Sequence, residues 1–100
     1  MNYPRIYADF HNTDEQGRLR LNCIGTIEDL NRQHIQLQNS QSLTLHSEDL
    51  EVDGLVQYSE DDRIWVAVID WNAVREVEEM RLKYLSLKFR VLSNKTQNPD

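Results

Sequence analysis

Ile64-Trp65-Val66-Ala67-Val68-Ile69 is the stretch on which the fold turns. Six apolar residues, several β-branched or aromatic, stand between the polar Ser59–Arg63 and Asp70. So short a run predicts a strand, and apolar residues on both parities predict a strand covered on both faces, hence a central one. With Val66 and Val68 toward the core, Trp65 faces the other side. The run is also the longest apolar stretch in the chain, far short of the roughly 20 residues that span a bilayer.

Period-two alternation continues on both sides of this strand. Ile6, Ala8 and Phe10 share one parity, and Leu19, Leu21 and Cys23 share another with Arg18, Arg20 and Asn22 between them. Separated by the polar His11–Gly17, these segments predict a hairpin or two neighbouring strands. Gly25 inside the second pattern predicts a bulge or bend, with Ile27 continuing the strand and a turn at Asn31–Gln33. Ile35 and Leu37, then Leu43 and Leu45, then Leu50 and Val52 extend the alternation. Asp53-Gly54 is a favoured tight-turn or bulge pair, and Leu55–Tyr58 follows it. After Trp71 the period changes. Val77, Met80, Tyr84, Leu87 and Val91 recur at spacings of three and four, and Asp70 or Asn72 can cap a helix there. Leu85, Leu87, Phe89 and Val91 also alternate. The expectation is a helix or helical turn over about 73–84, followed by an added strand.

One hundred residues allow one domain and a modest core. The predicted organisation is a single β-barrel-type domain over 1–92 and a frayed tail over 93–100. The fold class is mainly β, a small barrel of five or six strands with a C-terminal helix or added strand. Residues 19–27, 35–45, 55–58 and 64–71 carry a pattern that resembles a Src homology 3-like barrel. The resemblance implies an interaction module by analogy of fold.

Seventeen acidic residues against eleven basic ones leave a formal charge of -6. That field repels phosphate backbones and anionic bilayers, so neither nucleic acid nor a membrane is expected as a partner. The charge is also segregated. Glu48–Asp62 holds acids and no base, while Arg81–Lys95 holds bases and no acid. The lone Cys23 precludes an internal disulfide and suits a reducing, cytoplasmic setting. The N-terminus lacks the apolar core of a signal peptide.

No catalytic constellation is visible. There is no nucleophile elbow and no phosphate-cradling glycine loop. His11, His34 and His46 lack zinc spacing, and Cys23 shares the parity of Leu19 and Leu21 as a small hydrophobe would. The expectation is a non-enzymatic protein-interaction domain without a cofactor, binding another protein or itself. Tyr7, Tyr58, Trp65 and Trp71 are the candidate interaction residues, because aromatic faces beside acids attract cationic partners. A homodimer through residues 77–91 is the self-association route. The alternative is a calcium- or ligand-binding regulatory domain. Asp49 to Glu60 resembles the twelve-residue EF-hand loop, with Asp49, Glu51 and Asp53 at positions one, three and five, Gly54 at six and Glu60 at twelve. Helical flanks, which that loop needs, are missing from the pattern.

Overall fold

A computed structural model describes residues 3–77. Six strands form one curled sheet: β1 (Arg5–Tyr7), β2 (Leu19–Arg20), β3 (Ser42–His46), β4 (Leu50–Ser59), β5 (Ile64–Ile69) and β6 (Arg75–Glu76). One helix, α1 (Ile24–Arg32), lies between β2 and β3 in the chain. The path through the sheet is β1-β3-β4-β5-β2, and β6 pairs with β4 at Leu50 and Glu51. All pairs are antiparallel except β1 with β3. The molecule is therefore mainly β, as its alternation predicts. Among the described residues, no helix is long and apolar enough to cross a membrane.

The core is the concave side of the sheet. Ile6, Ala8, Phe10, Leu19, Leu21, Leu43, Leu45, Val52, Val56 and Ala67 are buried together there. Most of these are the residues whose parity marks an inner face, because successive strand side chains point to opposite sides. Trp65 and Ile69 pack against the same core with Ala67, while Val68 stands outside, half-exposed. Val66 is also fully buried, so the parity expected for β5 fails at Trp65 and Val68 but not at Val66. β5 is an interior strand with β4 on one side and β2 on the other.

Several local expectations are corrected. The segments around Ile6 and Leu19 do not form a strand pair; β1 and β2 lie at opposite ends of the sheet path. Asp53-Gly54 makes no turn, since β4 runs straight through it. The glycine serves close packing there. A Cβ at Gly54 would sit 2.9 Å from Ile69 Cγ2 and 3.1 Å from Leu45 Cδ1. Gly25 is neither bulge nor bend but lies in the first turn of α1, where a Cβ would stand 2.7 Å from Tyr7 Cδ2. Ile35 and Leu37 pack against the core from an irregular segment rather than a strand.

The helix expected from about Ala73 is not found over its described part. Asp70 does cap a turn, accepting from the Asn72 N–H, but that turn is a short 3-10 one over Trp71–Ala73. The chain then extends into β6, where a helix is expected, and the Val77 N–H donates to the Asp49 carbonyl at 3.0 Å; the added strand expected after about residue 84 lies outside the described residues. The remainder of that helix, the 77–91 dimer seam beyond Val77 and the 92/93 boundary lie outside the described residues.

Candidate functional site

The four aromatic candidates fall into separate ring pairs. Tyr58 and Trp65 are cross-strand neighbours on β4 and β5, edge to face with centroids 5.1 Å apart. Trp71 meets Phe10 edge-on at 6.3 Å, and its indole N–H donates to the Gly17 carbonyl at 2.8 Å. Gly17 takes a φ of 79° to present that carbonyl, a conformation that glycine adopts without strain. Tyr7 packs edge-on against His46 at 6.1 Å. Trp71 is 45% exposed, whereas Tyr7, Tyr58 and Trp65 are half-buried.

The acidic segment is strung out along β4. An extended chain rises about 3.3 Å per residue, so Asp49 and Glu60 stand some 30 Å apart or more. Glu51 pairs with Arg5 and, at 3.6 Å, with Arg75. Asp53 accepts from the Thr44 hydroxyl at 2.8 Å. Glu60 is exposed in the turn before β5. A calcium loop needs Asp49, Glu51, Asp53 and Glu60 around one centre, and this strand does not bring them there. Among the described residues, no group of three or more His, Cys, Asp or Glu is placed to hold a metal ion.

Where the β4–β5 turn approaches the 12–20 region, Asp14, Arg18, Arg20, Ser59 and Asp62 line a cleft of about 290 Å³. Glu15 and Asp61 line it too, so acids outnumber bases; Arg18 Nε to Asp14 Oδ2 is 2.7 Å, and Arg20 Nε to Asp62 Oδ2 is 3.3 Å. Burial pushes the Asp14 carboxyl up, but hydrogen bonds from the Arg18 backbone and side chain and from Gln16 outweigh it. The net shift is below the usual carboxylate range.

The feature the alternation did not reveal is α1 and the way it docks. Thr26 and Asp29 are buried against β1, while Ile24 is 74% and Ile27 46% exposed. The helix sets Thr26 and Asp29 against β1, and its Leu30 packs against the core. The Thr26 hydroxyl donates to the Tyr7 carbonyl at 2.7 Å, and Asp29 Oδ2 accepts from the Tyr7 N–H at 2.8 Å. Gln33, the residue ending the helix, donates from Nε2 to the Arg5 carbonyl at 2.8 Å. Since β3 occupies one side of β1, these side chains occupy its other side and satisfy an edge that would otherwise be free. The spacing Thr26, Asp29, Gln33 is three then four, one helix face. That polar period was the available signal, hidden because helix readings follow apolar residues.

α1 closes with a pair of backbone bonds, from Ile35 N–H to Leu30 O at 2.9 Å and from His34 N–H to Asn31 O at 3.2 Å. His34 takes the left-handed position of this Schellman motif, with φ 58°. At the other end Cys23 occupies the cap position; its Sγ lies 3.1 Å from the Thr26 hydroxyl and makes no bond to a helix N–H. Beside the last turn lies an open groove of about 660 Å³ that includes Leu30, His34, Ile35, Gln38 and Gln41.

The chain matches no family model, no curated protein and no solved structure. Its Ile24 and Ile27 stand one turn apart on a helix whose opposite side is committed to β1.

Near this contact His46 Nε2 stands 3.9 Å from Asp29 Oδ2. Burial holds the imidazole below its ordinary pKa; the Arg5 charge adds to this, and the Ser47 carbonyl and the carboxylates of Glu51 and Glu48 oppose it only in part. Tyr7 is shifted up by burial and by the negative charges of Glu48 and Asp9.

Proposed function

We propose that this domain is a non-enzymatic protein-interaction module that docks through the outward face of α1. The observation that carries the reading is the pair Ile24 and Ile27, held in water because Thr26 and Asp29 face the sheet. An exposed apolar stripe on a helix is the kind of surface that lies in a partner's groove. The partner's groove is apolar with a basic rim. Charge supports this: the chain carries 17 acids to 11 bases, and its three lysines, Lys83, Lys88 and Lys95, all lie outside the described residues. The curled sheet belongs, in this proposal, to the small-barrel class resembling Src homology 3; the β3-β4-β5 meander and its shared concave core support that assignment. A reducing, cytoplasmic setting is part of the same reading, supported by the single cysteine.

A photo-reactive side chain at position 27, against the same group at exposed Gln57, tests the docking face in extract from the protein's own cells. A discrete adduct from position 27, absent from position 57 and lost with Ile24→Ser, is the expected result. Equal labelling from both positions, or labelling indifferent to Ile24→Ser, overturns it.

A further inference from the structure

The side of β1 under α1 is itself an interaction surface. Arg5 and Tyr7 present backbone groups to it two residues apart, the repeat of a strand edge. In the closed molecule their partners are three side chains, from Thr26, Asp29 and Gln33. We propose that α1 is a latch over a strand-pairing edge, and that the edge, once uncovered, takes β1 of a second copy of this chain in antiparallel register about Tyr7.

Three observations carry this. First, α1 is weakly built. It has nine residues, a glycine in its first turn, no acidic residue in that turn and no side-chain cap. Helices this short are marginal in water and depend on tertiary packing. Its contacts with β1 include polar side chains, and of its three large apolar residues only Leu30 packs against the core, while Ile24 and Ile27 are exposed.

Second, the other end of the sheet lacks such a latch. Along β2, the Arg20 N–H donates to the Asn12 carbonyl at 2.8 Å, and the Asp14 N–H donates to the Arg18 carbonyl at 2.9 Å. Local backbone closes that edge, so β1 is the edge that a moving helix can expose.

Third, the charges fit a two-fold pairing. With Tyr7 opposite Tyr7 of the second copy, Arg5 lies opposite Asp9, and Asp9 opposite Arg5. Directly opposed residues of a hydrogen-bonded antiparallel pair have Cα atoms about 5.5 Å apart, within reach of a guanidinium–carboxylate pair. Arg5 can leave Glu51, because Arg75 remains beside that carboxylate at 3.6 Å. Asp9 Oδ1 accepts from the His11 N–H at 2.9 Å, which leaves its second oxygen for the incoming cation. This surface lies beneath the helix and does not depend on a partner for Ile24 and Ile27.

Two experiments decide it. Amide exchange on the wild-type chain should show the Tyr7 N–H opening together with the amides of α1, well before the amides of the β4–β5 ladder. If Tyr7 exchanges only with that ladder, the latch does not open and the proposal falls. Sedimentation equilibrium then reads the edge. The variant Thr26→Ala/Asp29→Ala/Gln33→Ala, or Gly25→Val, which forces the helix off the Tyr7 ring, should self-associate at least about tenfold more tightly than wild type. Arg5→Glu in either background should abolish the gain, and Arg5→Glu/Asp9→Arg should restore it. Latch variants that keep the wild-type near-ultraviolet spectrum yet stay monomeric overturn the proposal, as does association indifferent to the charge exchange. Should both latch variants fail to fold, the wild-type exchange pattern alone decides.

Discussion

Strand β4 and helix α1 meet the rest of the molecule in opposite ways. β4 turns Val52 and Val56 into the core and leaves Leu55 and Gln57 outside. It alternates as its residues dictate, and its hold on the fold is apolar area. α1 turns Thr26 and Asp29 inward and Ile24 and Ile27 outward. Its hold on the sheet rests on side-chain hydrogen bonds to the β1 backbone, with Leu30 as its one large apolar residue packed against the core. Apolar burial contributes about 25 cal/mol per Å² and accumulates along a ladder. A hydrogen bond contributes only about 0.5–1.5 kcal/mol net, because water offers nearly the same bond to the open state. The contrast implies a sheet that opens globally and a helix that opens locally.

The severest strain on this contrast is a cavity in the sheet core. Leu45→Ala, at a fully buried position between Ile6 and Val52 in the ladders, should cost about 2–5 kcal/mol in urea unfolding. Gly54→Ala should follow at about 1–3 kcal/mol from overpacking. Its new Cβ would meet Ile69 Cγ2 at 2.9 Å and the Val68 carbonyl at 3.1 Å, and backbone cannot move aside cheaply. Thr26→Val keeps the shape and removes the donor to the Tyr7 carbonyl. We expect about 1–2 kcal/mol, read mainly as faster amide exchange in α1 and at Tyr7. A loss equal to that of Leu45→Ala, spread over the whole ladder, would mean that helix and sheet are one cooperative unit and the contrast is wrong.

A smaller effect comes from pH. His46 has its folded pKa depressed by burial, so the unfolded chain binds the proton more readily. Stability is then full above the unfolded value near 6.5 and falls as pH drops from there toward the folded value. His46→Gln should flatten the melting temperature over that window. The slope at lower pH, where Asp14 is held below the usual carboxylate range, should persist, because that stability is lost only as pH falls from the unfolded Asp value toward the folded one. The least effect belongs to Ile24→Ser. A residue 74% exposed should change stability by no more than about 0.5 kcal/mol, and a larger drop would show that its side chain is not idle in the isolated domain.

Much of the sheet was legible in residue order. Ile6, Ala8 and Phe10, and Leu43 and Leu45, declare an inner face by parity, and each of them is buried. Asp70 declares a cap, and it caps a turn. The candidate site was not legible in the same way. Leu19, Leu21 and Cys23 lead the alternation into Gly25, yet at Ile24 the chain becomes helical, and Asp53-Gly54 looks like a turn inside a continuous strand.

Pattern alone determined that this chain is mainly β, that its apolar parities share one interior, and that no familiar catalytic spacing runs through it. Tertiary structure decided which strands are neighbours, that Gly25 and Gly54 answer to Tyr7, Leu45 and Ile69, and that α1 sets Thr26 and Asp29 against the backbone of β1. The reason is physical. Periodicity records which side chains avoid water, a local property of each segment. The unfilled hydrogen bonds of β1 arise only when that strand finds β3 some forty residues away, and the residues that fill them carry no apolar signature.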